Sequence, residues 1–282
     1  MPFVKSQIKR GDWELKDNQF ILSDEYMEKN WCKFKKLTGS RLASILGLNE
    51  YTSEVQAWCE IVKIFKAIPE KMYTDAGQII EPLIKNEVVK KFGTYYISFT
   101  PDEIGYDYFA IKDPILGGIP DGQPITKKGK IDYEQSKGML EIKTASLDSF
   151  ERDKQGLVKR NKDGVPIIKE KGANKKKWFK GKEIIIPENY LMQLDLYLSL
   201  ENQEKGLFAI CFLEPEDYAH PELIDLSERT IVYVEHKLDK KRIDPLVKRA
   251  KAWYMQYIVK GVSPKLTPQD LQWFNKEMTL VA

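Results

Sequence analysis

The spacing of apolar and polar positions divides the chain into a helical first third and a mixed remainder. Ser23 followed by Asp24 and Glu25 has the form of a helix start, a capping hydroxyl with acids in the first turn, and predicts a helix to about Lys36. A short second helix is expected over about Arg41–Leu46, stopping at Gly47. After Ser53, the residues Val55, Trp58, Val62 and Phe65 recur at three- and four-residue intervals and predict an amphipathic helix that ends before Pro69. A further helical pattern covers Asp75 to Phe92 and stops at Gly93.

Beyond Gly93 the period changes. Thr94–Thr100, Ile104–Ile111 and Gly117–Pro124 are short, aromatic or β-branched, and punctuated by Pro, Gly and Asp, as hairpin strands are. Gly138–Thr144 reads as another strand. Pro187 suits the start of a helix running to about Leu200, with Tyr190, Leu191, Leu194 and Leu198 as its apolar stripe. Gly206–Leu213 and Thr230–His236 read as strands, and a charged helix follows from about Leu238 to Val259. The order is α+β, without an internal repeat. At 282 residues, one elaborated domain over 1–282 is expected, with an insertion at 151–182 and a helical C-terminal extension at 238–282.

Charge changes this picture more than composition does. The chain carries 45 Lys and Arg against 42 Asp and Glu, a net +3. Residues 151–182 alone hold twelve basic and four acidic residues, so the rest of the chain is net negative. The segment reads as a mobile basic arm in which Lys175, Lys176 and Lys177 meet phosphates and Trp178 and Phe179 stack on bases. The plainer alternative is a solvated loop whose lysines confer only solubility. No stretch approaches the roughly 18 apolar residues of a membrane span, so a cytoplasmic location without membrane partners is expected. The three cysteines, Cys32, Cys59 and Cys211, have no C-x-x-C spacing, and there are only two histidines. Disulfides and zinc or iron–sulfur sites are therefore not suggested, and a metal would be held by carboxylates.

The chemistry concentrates in Gly118-Ile119-Pro120-Asp121-Gly122 and Glu141-Ile142-Lys143. On a strand, Glu141 and Lys143 project from one face while Ile142 points into the core. Asp121 and Glu141 are hard oxygen donors suited to Mg²⁺ or Mn²⁺, and Lys143 beside them can orient an attacking water and help deprotonate it. An acid-x-Lys tripeptide alone says little, since Glu14-Leu15-Lys16 and Glu235-His236-Lys237 share it. Only Glu141 lies in an apolar strand with a Pro-Asp-Gly turn upstream. The alternatives are a turn aspartate and a cross-strand ion pair. Glu81, inside an apolar helical run and before Pro82, is a carboxylate that needs a cation if it is buried, unless it is an exposed acid of a helix starting at Pro82. Gln193 and Tyr197 lie four apart on one helix face, where Gln193 could orient water or a phosphate oxygen and Tyr197 is a DNA-binding candidate that could also simply be core.

Together, Asp121-Gly122, Glu141-Ile142-Lys143 and Gln193 through Tyr197 resemble the PD-(D/E)XK nuclease signature with its Q-h-x-x-Y motif. With Glu81 and the upstream helices, about Trp31 to Tyr197 looks most like the phage λ-exonuclease/YqaJ recombinase family. The resemblance implies a restriction-endonuclease-like core, a mixed central β-sheet flanked by helices. It implies a 5′→3′ exonuclease on linear double-stranded DNA that uses two Mg²⁺ ions, assembles as a ring-shaped homotrimer and works with a single-strand annealing protein. In its terms Asp121 and Glu141 are metal ligands, with the Ile142 carbonyl as another. Glu81 is an additional acid, Lys143 the catalytic lysine and Gln193 a positioner of water or substrate. Trp31 through Arg41 looks like the family segment in which a serine and a basic residue hold a 5′-phosphate. Ser40 matches the serine, and Lys35, Lys36 or Arg41 could supply the charge. The long spacing from Asp121 to Glu141 and the basic insertion depart from the compact family pattern. An endonuclease of the same fold, or a non-catalytic DNA-binding protein that kept it, are the competing readings.

Overall fold

A 22-residue helix, α1 (Lys71–Phe92), is built on a four-residue apolar stripe: Met72, Ala76, Ile80, Ile84 and Val88 are all buried on one side. The helix runs unbroken through Pro82. An internal proline costs about 3 kcal/mol, whereas each large side chain removed from water contributes about 1.5–3 kcal/mol. Four such side chains outweigh the proline, so packing decides the helix. The computed structural model in which it is seen describes residues 3–5, 11–49, 52–67, 71–105, 107–132, 134, 137–154 and 156–279.

The stripe packs on a mixed sheet of three strands, β1 (Met139–Ala145), β2 (Lys205–Phe212) and β3 (Thr230–Lys237), in the order β3-β2-β1. β2 runs parallel to β1 and antiparallel to β3. Leu140 and Ile142 of β1 and Leu207, Ala209 and Cys211 of β2 meet the α1 stripe. The opposite face carries Glu141 and Lys143, in register with Phe208 and Ile210. A second helix, α2 (Glu188–Glu201), covers that face. It comes so close that a Cβ on Gly206 would lie 2.7 Å from Leu194. This is the expected α+β arrangement of helices flanking a mixed sheet.

These elements belong to a compact unit made of Pro69–Tyr108 and Ile119–Leu238. A second unit combines Pro2–Ile68, Phe109–Gly118 and Asp239–Ala282. Within the second, the hairpin of Trp13–Lys16 and Gln19–Leu22 turns at Asp17 and Asn18, both with positive φ. Its Phe20 is fully buried, edge-on to Trp13 at 5.1 Å and to Phe274 at 5.1 Å. The C-terminal residues complete this unit: Trp58 donates to the Tyr257 carbonyl at 3.2 Å, and Ser53 Oγ to Asp270 at 2.5 Å. The 238–282 segment thus packs with the chain's beginning, its last three residues lying outside those described. No helix among the described residues is long and apolar enough to cross a membrane.

Several boundaries differ from the sequence expectation. Ser23 caps the first helix, but the helix is Asp24–Asn30 followed by a 3-10 turn to Lys33, not a helix to Lys36. Phe34 is extended, and the chain leaves to pair Leu37–Thr38 in parallel with Leu116–Gly117. The helix after Ser53 is Glu54–Ile61, ended by Lys63 at φ 64°, and Phe65 begins a strand pairing with Phe3–Lys5. Ile104–Ile111 forms no strand in its described residues. It is a series of turns closed by hydrogen bonds such as Asp107 N to Ile104 O, and Ile111 is 93% exposed, with no sheet face to cover it. The charged helix expected over Leu238–Val259 is α-helical over Lys240–Trp253 and continues as a π turn over Tyr254–Ile258, and a further helix, Pro268–Thr279, follows it.

The basic insertion is folded, all but residue 155 being described. Ser149–Phe150 pairs with Ile168–Glu170 and Phe179–Lys180 with Glu183–Ile184, while Val158 joins the core. Its aromatic residues are not free for bases: Trp178 is buried, stacked on Tyr190 at 5.7 Å and edge-on to Phe212, and Phe179 is half-buried against Phe212. An arm anchored by two aromatic residues is a packed subdomain with a basic outside. Because α1 depends on its stripe rather than on propensity, Ile80→Ala should lower unfolding stability by about 2–5 kcal/mol. The shift of the urea midpoint checks this.

Candidate active site

Glu141 is fully buried on β1, and two residues on, Lys143 leaves the same face and forms an ion pair with it. Lys143 takes only one carboxylate oxygen. Glu141 Oε2 is buried with no hydrogen-bond partner. Burial first, then the negative charge of Asp121, push the Glu141 carboxyl up to about 8, against the pull of Lys143. Burial alone would lower the Lys143 pKa, but Glu141 and Asp121 outweigh it and raise it, so the lysine stays cationic. Tyr190 of α2 closes over the ammonium, its ring centroid 5.1 Å from Nζ. Behind Tyr190 stands Trp178, so the basic insertion is packed directly onto the surroundings of Lys143.

Asp121 reaches this place because the Pro120-Asp121-Gly122 turn pairs with the free edge of β1. Gly122 N donates to the Leu140 carbonyl at 3.2 Å, and Leu140 N returns a bond to Gly122 O at 2.8 Å. A Cβ at Gly122 would sit 3.1 Å from Cβ atoms of both Leu140 and Tyr96, so a side chain there would press on both and glycine eases this approach. The Asp121 carboxylate then accepts the Ile142 N–H at 2.7 Å. Burial pushes the Asp121 pKa above its usual range, partly offset by Lys143 and by the Ile142 amide.

Glu81 enters from α1. It is half-buried, and the helix continues through Pro82, so it is not an exposed first-turn acid. Gly77, one turn earlier, leaves it room, since a Cβ there would lie 3.3 Å from Glu81 Oε1. Burial and then repulsion from Asp121 raise its carboxyl to about 7, against Lys143. Glu81, Asp121, Glu141 and Lys143 thus form one electrostatically coupled group, with three acids against one cation. On α2, Tyr197 is buried and Gln193 hydrogen-bonds to it. Burial, then Glu141 and Asp121, raise the Tyr197 pKa, which places the Q-h-x-x-Y pair beside the same carboxylates.

The donor chemistry fits a hard divalent cation: carboxylate oxygens only, one of them buried and unpartnered, and mutual repulsion that a cation would relieve. The fit is incomplete, because among the described residues no three acidic, His or Cys side chains converge closely enough to hold a metal ion. Lys143 instead stands against Glu141.

The residues expected at a 5′-phosphate lie in the other unit. Ser40 is exposed in the first turn of Gly39–Ile45, with Thr38 rather than Ser40 at the cap position. Thr38 Oγ1 lies 3.0 Å from Ser40 Oγ and accepts from Arg41 at 3.1 Å. Arg41 and Lys35 converge on Glu60, at 2.7 and 2.8 Å. Burial would raise the Glu60 carboxyl, but these two cations hold it at about 2. Lys36 turns away and donates to the Asp113 and Ala110 carbonyls. The structure therefore groups Ser40 with Arg41 and Lys35, and not with Lys36. Lys175, Lys176 and Lys177 are exposed on a one-turn helix of the insertion. Glu60 was not singled out from sequence, and Trp178 and Tyr190 were read there as a base-stacking residue and as part of a helix's apolar stripe, not as each other's partners. Glu60 lies in a helix whose periodicity speaks only for its apolar side, and the Trp178–Tyr190 contact joins residues with no common motif.

In the unfolded chain Glu81 titrates near 4.5 and in the fold near 7, so between these values the folded protein keeps a proton that the unfolded chain has lost. Stability therefore falls as pH rises through that window, and the raised Glu141 extends the fall toward about 8. In chelator, the thermal midpoint should drop from about pH 5 to about pH 8. Glu81→Gln should flatten the drop and melt higher than the parent at the alkaline end; an identical profile would contradict the coupling.

Residues 30–203, more than half of the chain, match the family model described as the YqaJ-like viral recombinase domain. An uncharacterized protein of Mycoplasma genitalium is 42% identical over 280 residues, covering 98% of this chain and 99% of that one. A homolog in Mycoplasma pneumoniae is 39% identical over 269 residues, 94% and 95% of the two chains. Among solved structures, an alkaline exonuclease from Laribacter hongkongensis aligns with TM-score 0.49 and 11% identity over 92% of this chain and all of that one. A phage-related exonuclease from Haemophilus somnus 129PT gives TM-score 0.45 and 14% identity over 82% and 98%. The assignment rests on the family match: the chain belongs to the YqaJ-like viral recombinase domain family.

Proposed function

We propose that the chain is a divalent-metal-dependent deoxyribonuclease that resects linear double-stranded DNA from 5′ to 3′ for recombination. The observation that carries this reading is the buried Glu141, half-neutralised by Lys143 and left with an unpartnered oxygen beside Asp121 and Glu81. Burying such a charge without full compensation costs several kcal/mol, which a fold tolerates where a cation belongs.

In the proposal Asp121, Glu141 and the Ile142 carbonyl would hold Mg²⁺ or Mn²⁺, two ions in all, with Glu81 as a further acid. Such ions supply charge neutralisation at the phosphorus and an acidified water. The chain's own residues do the rest. Lys143, kept protonated by its neighbours, donates to an oxygen of the attacking water or the phosphate rather than accepting a proton. Tyr190 restricts where that ammonium can point. Gln193, tethered to Tyr197, offers a neutral amide to water or substrate. Ser40 with Arg41 and Lys35 would take a 5′-phosphate in exchange for Glu60, and Lys175, Lys176 and Lys177 would lie along the duplex backbone. A trimeric ring, a single-strand annealing partner and a cytoplasmic location belong to the same proposal and rest on the family alone.

The test uses linear duplexes with and without a 5′-phosphate, and covalently closed circles, each with Mg²⁺. Linear DNA should shorten progressively from 5′ ends while circles survive. Asp121→Ala should abolish the activity, and Lys143→Ala should cut it by about 10²–10³-fold, the usual loss for one donor to a developing charge. The triple Lys175, Lys176, Lys177→Ala variant should bind duplex more weakly with a shallower salt dependence. Cut circles would make the chain an endonuclease of the same fold. No hydrolysis by the parent would leave a DNA-binding protein.

A further inference from the structure

Beside the carboxylates opens a cleft of about 470 Å³ between the middle of α1 and the chain at 98–101 and 119–121. Glu81 and Asp121 line one part of it. Lys85, Ser98 and Thr100 line it too, and neither motif nor spacing marks them. Lys85 follows Glu81 by four residues, so both side chains leave the same face of α1. Its Nζ donates to Ser98 Oγ at 2.8 Å, and Ser98 Oγ donates to the Asp121 carbonyl at 2.5 Å. The lysine is therefore aimed into the cleft and tied to the turn that carries Asp121.

An ammonium has three donors, and Ser98 takes one. Among the described residues no carboxylate lies within salt-bridge distance of Lys85, although the side chain is half-buried. Its bond to Ser98 lies at the surface, so the remaining donors are open to water or to an arriving anion. Around Lys85 are the hydroxyls of Ser98 and Thr100, whose protons go to the Asp121 carbonyl and to Glu103, and the ring of Phe99, which pairs with Tyr108 at 4.9 Å. This is a surface for an anion with an apolar neighbour, which a phosphodiester strand supplies.

We propose that Lys85, steered by Ser98, binds the phosphate next to the scissile one, so that the cleft is a substrate-strand subsite. Resting on the nuclease reading above, this assigns a strand path. With the cut phosphate at Asp121 and Glu141, the adjoining phosphate falls at Lys85 and its nucleotide against Phe99. The purely structural alternative is that Lys85 only braces the Asp121 turn.

The two are separated by steady-state cleavage of a linear 5′-phosphorylated duplex in Mg²⁺, together with binding of the same duplex in Ca²⁺ across a salt series. Lys85→Met should lower kcat/KM about tenfold, chiefly through KM, and make the slope of log K against log salt shallower by about 0.7–0.9, the loss of one phosphate contact. Lys85→Gln should behave alike, which keeps the test open if one variant folds poorly, and Lys85→Arg should retain most of the slope. Unchanged slopes with a fall in kcat for all three would assign Lys85 to bracing the turn and overturn the subsite. A parent protein that neither binds nor cuts DNA would overturn the nuclease reading and this inference with it. An active parent with Lys85→Met indistinguishable from it would overturn the inference alone.

Discussion

The Glu141–Lys143 pair on β1 is the constraint on which the rest of the site depends. An acid with no exposure is held in an apolar sheet by one lysine two residues away, and the strand's alternation alone puts both on the same face. Everything around the pair answers to it. Gly122 lets the Asp121 turn seal the edge of β1, α1 brings Glu81 to its side, and α2 lays Tyr190 over the ammonium. The result is an excess of buried negative charge, with raised carboxyl pKa values as its direct expression.

The same frame gives the insertion a structural part. Its Trp178 is wedged between Tyr190 and Phe212, next to the lysine's aromatic cover. A segment whose charge suggested a solvated arm is thus rooted in the sheet's surroundings, and only its outer lysines remain for solvent or DNA. In the second unit, Glu60 holds Arg41 and Lys35 together, and Arg41 also donates to Thr38, the neighbour of Ser40.

The grouping of these side chains was largely legible because its geometry is local. A period-two strand dictates Glu141 with Lys143, a Pro-Asp-Gly turn marks Asp121, and a four-residue helical repeat marks Gln193 with Tyr197. Glu81 could be read because a carboxylate within the α1 stripe contradicts its own surroundings. Lys85, Ser98 and Glu60 were illegible, and Trp178 was misplaced as a base-stacking residue, because their contacts run across the fold between residues that share no period. The strand expected at Ile104–Ile111 failed for a related reason. Aromatic and β-branched content favours extended chain only where a neighbouring strand exists to pair with it, and there the chain closes into successive turns. Helix ends were misjudged where tertiary pairing took over, as at Leu37–Thr38 and Phe65–Ala67.

If the excess buried charge is a cation site, metal must compete with protons there. Calorimetric titration of Mn²⁺ into DNA-free protein near neutral pH, repeated in buffers of different ionisation enthalpy, measures that competition directly. The account predicts binding with net proton release, because Glu81 and Glu141 are partly protonated at that pH, and loss of both signals in Asp121→Asn. Binding without proton release, or binding that Asp121→Asn leaves unchanged, would contradict it.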